Sequence, residues 1–66
     1  NFKSQLLEWG QKEKKEVKFN AKEKELHYFH IDCIIEGKQV SKSEGNNKKK
    51  AEQKAAELAL KKLSLI

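Results

Sequence analysis

The chain has no arginine: all fifteen of its basic residues are lysine. An arginine fork can read a base edge bidentately, whereas a lysine ammonium is a compact point charge suited to phosphate. Recognition of a nucleic-acid backbone is therefore favoured over recognition of a base sequence. A small sequence-specific DNA binder is a poor reading, because a lysine row at a helix start does not make a recognition helix. There is one cysteine, Cys33. It cannot close an internal disulfide, and no Cys/His spacing suits zinc, which points to a reducing, cytoplasmic setting. Its inward neighbours in sequence are apolar, so Cys33 reads as a buried small hydrophobe. No apolar run is long enough to span a membrane and no signal-peptide pattern is present, so a soluble protein with no membrane contact is expected. The acids are spread among lysines, without a close carboxylate pair for general acid–base work or Mg²⁺. His27 and His30 stand three apart on an expected strand, face opposite ways and cannot share a metal without a bulge. Sixty-six residues make one domain, 1–66, that buries only about 60% of its unfolded surface and has no room for an enzyme cleft. No catalytic residue, metal or cofactor is expected in it.

What is present is periodic. The chain is 38% charged and 36% hydrophobic, but its apolar residues are concentrated in regular runs, which favours a small folded unit over disorder. The net charge of +5 is uneven: residues 45–66 hold six Lys against two Glu, and residues 1–44 hold nine Lys against eight acids.

The stretch Gly45 to Leu63 is the clearest. Ala51, Ala55, Ala56, Ala59, Leu60 and Leu63 recur as one broad helix face, which is expected to pack inward. Lys50, Lys54, Glu57 and Lys61 form a charged stripe on the other side. Gly45 supplies a turn residue and Asn46 and Asn47 two candidate N-caps, so the helix is expected to begin near Lys48. Lys48, Lys49 and Lys50 then break a local rule. A helix N-terminus carries roughly half a positive charge, and cations there are disfavoured by about 0.3–1 kcal/mol each. Two readings stand: an ordinary solvated lysine run, or a site for an anion such as phosphate, which helix N-termini bind well.

From the beginning of the chain, Phe2, Leu6 and Trp9 predict a first amphipathic helix over Asn1 to Gln11. Ser4, Glu8 and Gln11 repeat the same spacing on another face, either as solvated surface or as a functional row, with Leu7 an unexpected apolar neighbour. Gly10 weakens this helix and is a candidate terminator, although Gln11 to Glu16 contains residues able to extend it a turn. Val17 to Ala21 alternates as a short edge strand, and the charged tetrapeptide Lys22 to Glu25 reads as the hairpin connection. Leu26 to Ile35 is the strongest strand, with Phe29, Ile31, Cys33 and Ile35 inward. Glu36 to Lys38 reads as a turn and Gln39 to Ser43 as a third strand anchored by Val40. The fold class is therefore α+β in the order α-β-β-β-α, a three-stranded antiparallel sheet with both helices on one face.

In that order, Gly45 to Leu60 closely resembles the second-helix motif of double-stranded RNA-binding domains. Lys3 to Trp9 resembles the first-helix motif, and Phe29, Ile31 and Cys33 match the apolar alternation of the second strand. Lys50-Ala51-Glu52-Gln53 and Ala59 to Leu63 look most like the C-terminal domain of bacterial ribonuclease III. The resemblance implies three regions that touch RNA: the first helix, the loop between the first two strands, and the start of the second helix. The positions it implies are Ser4, Glu8, Gln11, His27, Asn47, Lys48, Lys49, Lys50 and Lys54. Three departures stand out. Leu7 occupies a place where glutamine is common. Glu52 falls where many members carry a third basic residue, which leaves Lys50 or Lys54 to supply that charge. The expected loop Ala21 to Leu26 lacks the family's Gly-Pro-X-His tip, and His27 reads either as its substitute or as a rim residue.

The implied function is binding of double-stranded RNA by shape over roughly 16 base pairs, through minor-groove 2′-hydroxyls and phosphates, with little sequence selectivity. The resemblance further implies a monomeric domain within a homodimeric, cytoplasmic, Mg²⁺-dependent endoribonuclease, a hydrolase that processes ribosomal RNA precursors. The alternative is a protein-interaction or dimerisation domain on the same fold, using an open sheet face with Tyr28 and Ile34 exposed. Lys48 and Lys49 argue against it, because such a domain has no use for cations at a helix start.

Overall fold

A computed structural model describes every residue, 1–66. The order is α1 (Phe2–Glu13), β1 (Val17–Glu25), β2 (Tyr28–Ile35), β3 (Lys38–Gly45) and α2 (Lys48–Lys62). The strands form one antiparallel sheet with β2 in the centre. Leu6 of α1, Ile31, Cys33 and Ile35 of β2, and Ala51, Ala55, Ala56, Ala59 and Leu60 of α2 make one buried cluster, so both helices cover the same sheet face. The expected α-β-β-β-α order and the inward face of α2 stand.

Asn1 caps α1, its Oδ1 accepting from the Ser4 N–H at 2.8 Å. The helix runs past the expected end at Gln11, because Gly10 is not its terminator. Lys14 takes a left-handed φ of 57°, and the Lys15 N–H returns to the Gly10 carbonyl at 2.8 Å, closing the last turn. This resembles the closure usually made by glycine. Gly10 is buried inside α1 for a different reason: a Cβ on it would lie 2.7 Å from Val17 Cγ2 and 3.0 Å from the Lys15 carbonyl oxygen. Its missing side chain lets the end of α1 sit against the start of β1.

The first hairpin departs most from the sequence reading. Lys22 to Glu25 is not a connection: it continues β1, with Lys22 paired to His30 and Glu23 to Phe29. β1 is an edge strand as expected, but it is nine residues long. Its turn is Leu26–His27, between the paired Glu25 and Tyr28, with a register irregularity between Glu23 and Glu25. His27 adopts φ 60°, and its N–H donates to Glu23 Oε2 at 2.8 Å. The Glu23 carboxylate thus holds a tight turn that contains neither Gly nor Pro. The second turn is shorter than expected. Glu36 and Gly37 take φ 52° and 79°, the double-positive geometry of a two-residue hairpin, and Lys38 already pairs with Ile35.

β3 also differs from its expected pattern. The ladder shifts between Cys33 and Ile34, which skips Val40 and leaves Ser41 opposite Cys33 and Ser43 opposite Ile31. Val40 packs at the margin of the core, and the serines occupy the inward positions. They fit because the alanines of α2 bring its backbone close to the sheet. The Ser41 hydroxyl donates to the Ala55 carbonyl at 2.7 Å, and the Ser43 hydroxyl donates to the Ala51 carbonyl. No buried side-chain nitrogen or oxygen lacks a partner. Cys33 is fully buried, as expected, and burial pushes its thiol pKa up against a smaller lowering by the Ser41 hydrogen bond.

Candidate nucleic-acid interface

α2 begins where its cap dictates. Asn47 has extended backbone angles, and its Oδ1 accepts from the Lys50 N–H at 3.1 Å while the Ala51 N–H reaches the Asn47 carbonyl at 2.9 Å. Gly45 is not part of this start; it closes β3 opposite Phe29. The first turn holds no acid, and Lys48, Lys49 and Lys50 are all exposed. Three ammonium groups therefore surround a helix start whose own partial charge is positive, an arrangement favourable to an external anion.

The expected residues form separate groups. Asn47, Lys50 and Lys54 line a groove between the end of β3 and α2. Lys49, Lys50 and Lys54 line a second groove, shared with Phe2 and Gln53, between the starts of the two helices. Lys50 and Lys54 thus border both. Lys54 also lies 3.6 Å from Glu57, which Lys61 approaches at 3.3 Å from the other side. The Lys61 hydrogen bond, with the nearby Lys54 charge, holds the Glu57 carboxyl below its ordinary value despite some burial.

Ser4, Glu8 and Gln11 open together onto a groove along α1, joined by Leu7, Lys14 and Lys15. Lys14 and Lys15 were legible only as part of a charged run; the closure of α1 turns them into the groove wall. The Lys15 ammonium lies 5.8 Å from the centre of the Trp9 ring. His27 stands apart from all these grooves, exposed at the tip of the first hairpin beside Leu26, which is 83% exposed. It is a turn residue, and strand phase does not apply to it.

Glu52 does not face outward with the lysines. It is the one charged residue in the buried set, and its Oε1 lies 3.0 Å from Lys3 Nζ on α1. No local pattern signals this pairing between residues 49 apart in the chain.

The open face of the sheet is not an apolar patch. Tyr28 and Ile34 are only partly exposed there. Glu44 accepts from the Tyr28 hydroxyl at 3.2 Å and lies 2.8 Å from His30 Nδ1, while His30 Nε2 lies 3.2 Å from Asp32. The His30 and Tyr28 hydrogen bonds hold the Glu44 carboxyl below its ordinary value, and Glu44 pushes the Tyr28 phenol up. No three His, Cys, Asp or Glu side chains come together as a metal site. No helix is long and apolar enough to cross a membrane.

The chain is similar to three bacterial proteins named Ribonuclease 3. It is 41% identical over 68 residues to that of Bacteroides thetaiotaomicron, covering 96% of this chain and 22% of the relative. It is 40% identical over 63 residues to that of Zunongwangia profunda, covering 89% and 26%, and 42% identical over 60 residues to that of Flavobacterium psychrophilum, covering 85% and 24%. The chain spans about a quarter of the length of these relatives. A family model, the double-stranded RNA binding motif, matches residues 2–63. With its helix–sheet–helix order and lysine-bearing second helix, the chain belongs to the double-stranded RNA binding motif family.

Proposed function

We propose that residues 1–66 act as one module that binds double-stranded RNA by its shape. The observation that carries this reading is the exposed Lys48, Lys49 and Lys50 cluster at a capped helix start without a first-turn acid. Such a cluster raises the local free energy until a polyanion meets it. Lys48 and Lys49 meet phosphates, with Asn47, Lys50 and Lys54 beside them in the adjoining grooves. Ser4, Glu8 and Gln11 meet 2′-hydroxyls in one minor groove, where polar side chains can donate and accept, and His27 at the hairpin tip reaches a second. A-form RNA hides its base edges from side chains, so groove spacing and 2′-hydroxyls are what this surface reads.

The longer parent is a ribonuclease III. In it this module holds the duplex while a separate Mg²⁺-dependent domain cuts it, in the processing of ribosomal RNA precursors. On this reading the metal is held by that other domain. The parent is a cytoplasmic homodimer to which the module contributes as a monomer.

Titration of the chain with duplex RNA, duplex DNA of matched sequence and single-stranded RNA at one physiological salt concentration tests the reading. Duplex RNA binds most tightly, and shuffling its sequence changes little. Comparable affinity for the two duplexes would mean that the surface senses charge and not duplex shape.

A further inference from the structure

We propose that Lys3, Glu52 and Gln53 form a positioning lock that holds the Ser4 row of α1 at a set distance from the lysines of α2, and thereby sets selectivity for the RNA duplex. This rests on the duplex-RNA reading above.

The lock joins three elements through one residue. The Lys3 ammonium is 3.0 Å from Glu52 Oε1 on α2 and 5.5 Å from the centre of the Phe19 ring on β1. The Lys3 backbone N–H, one of the first-turn donors that a helix leaves without an internal partner, donates to Gln53 Oε1 at 3.1 Å. Thus α2 supplies a cap to α1 in addition to Asn1. The pair is sheltered, with side-chain exposures of 37% for Lys3 and 11% for Glu52. Beside these bonds, Lys49, Gln53 and Glu57 of α2 line a groove with Phe2 of α1, so polar side chains dominate the meeting of the two helix starts. Directional bonds at such a place fix the sliding and rotation of one helix against the other. Lys3 directly precedes Ser4, and Glu52 lies about one turn beyond Lys48 and Lys49. The two bonds from Lys3 to α2 therefore tie the two proposed RNA-facing regions, and the ring contact ties α1 to β1.

Glu52 makes the sign of the test decisive. As a plain acid among phosphate-facing lysines, it would weaken binding, and Glu52→Gln would tighten it by raising the net charge. As part of the lock, Glu52→Gln loosens the helix pair. RNA affinity then falls by roughly threefold to fivefold, the size of a modest ion pair. The salt dependence stays at its wild-type slope, since every phosphate-facing lysine is retained. Affinity for matched duplex DNA holds or rises, so the preference for RNA narrows.

The experiment titrates the wild-type chain, Glu52→Gln, Lys3→Met, Lys3→Glu and the exchange Lys3→Glu with Glu52→Lys against matched RNA and DNA duplexes at several salt concentrations, with thermal melts of each. The exchange is expected to recover RNA preference relative to Lys3→Glu alone. RNA affinity of folded Glu52→Gln at or above wild type overturns the lock. Should that variant fail to fold, Lys3→Met decides: weaker RNA binding at unchanged salt slope supports the lock, and a slope lower by about 0.9 makes Lys3 a phosphate ligand and overturns it. A wild-type chain without preference for duplex RNA overturns the underlying reading as well. Wild-type preference with an unaffected Glu52→Gln overturns the lock alone.

Discussion

On its sheet side, α2 presents Ala51, Ala55, Ala56, Ala59 and Leu60, all buried, and its backbone carbonyls receive the hydroxyls of Ser41 and Ser43. On its outer side it presents Lys48, Lys49, Lys50, Lys54 and Lys61, all exposed. The inner side tolerates no added volume, and the outer side carries a surplus of positive charge. One helix thus separates what holds the protein together from the side proposed to meet RNA. Substitutions on the two sides should affect different measurements.

The sharpest contrast is between neighbours. Ala55→Glu places a large, unpaired carboxylate at a fully buried position and is expected to cost more than about 4 kcal/mol, enough to abolish the thermal transition. Lys54→Glu, one residue away and exposed, should change stability by less than about 0.5 kcal/mol and weaken RNA binding. Equal losses in thermal melts would break the assignment of the two sides.

Next in size is the double replacement of Lys48 and Lys49 by Ala. Folding is retained or slightly improved, because the lysines oppose the helix dipole. Duplex RNA binding weakens, and the log–log salt slope falls by about 0.9 for each phosphate that is no longer neutralised, on the coefficient for duplex DNA. Unchanged affinity and slope in a folded variant would remove these lysines from the interface.

A smaller effect tests the packing of α1. Gly10→Ala gains up to about 1 kcal/mol of helix propensity, but the new Cβ would stand 2.7 Å from Val17 Cγ2, and overpacking costs about 1–3 kcal/mol. Denaturant unfolding should show a net loss of about 1 kcal/mol; a gain would mean that β1 yields. Ser41→Ala removes the hydrogen bond to the Ala55 carbonyl and should cost about 0.5–1.5 kcal/mol, with RNA binding untouched.

The smallest effect is the pH response of the outer side. The Glu57 pKa is lowered from 4.5, first by the Lys61 hydrogen bond. A depressed carboxyl pKa adds stability that is present above the unfolded value and lost as pH falls through the folded one. Melts of wild type and Lys61→Ala should therefore differ slightly at neutral pH and converge well below pH 4.5. A difference that persists there would exclude the ion pair as its source.

Much of the candidate interface's placement was legible because its signals are local. The start of α2 follows from Asn47 and the lysines after it, and its inner face follows from alanine spacing. The row Ser4, Glu8 and Gln11 was visible as a helical repeat, and the structure places all three on one groove. The first hairpin was not legible. Lys22 to Glu25 lacks apolar alternation, yet it pairs with β2, because a charged edge strand needs only backbone partners. Its turn lacks Gly, Pro and Asn-Gly, so Glu23 supplies through its side chain what turn residues usually supply through the backbone. Val40 is the apolar residue of β3, whereas a register shift turns Ser41 and Ser43 inward.

By itself, the sequence determined the order of elements, the inner face of α2, the Leu6 and Trp9 side of α1 though not Phe2, which is exposed, and the concentration of positive charge at the start of α2. These depend on spacings of a few residues, over which side-chain direction follows from helix or strand geometry. Tertiary structure alone decided that Gly10 marks a close approach instead of a helix end, that two serines fasten the sheet to α2, and that Glu52 turns inward to Lys3. Each of these joins residues brought together by the fold: Gly10 meets Val17 across the closure of α1, Ser41 meets Ala55 across the sheet, and Lys3 meets Glu52 across the helix pair. Such meetings depend on how near the elements approach, a distance set by the summed packing of the whole core.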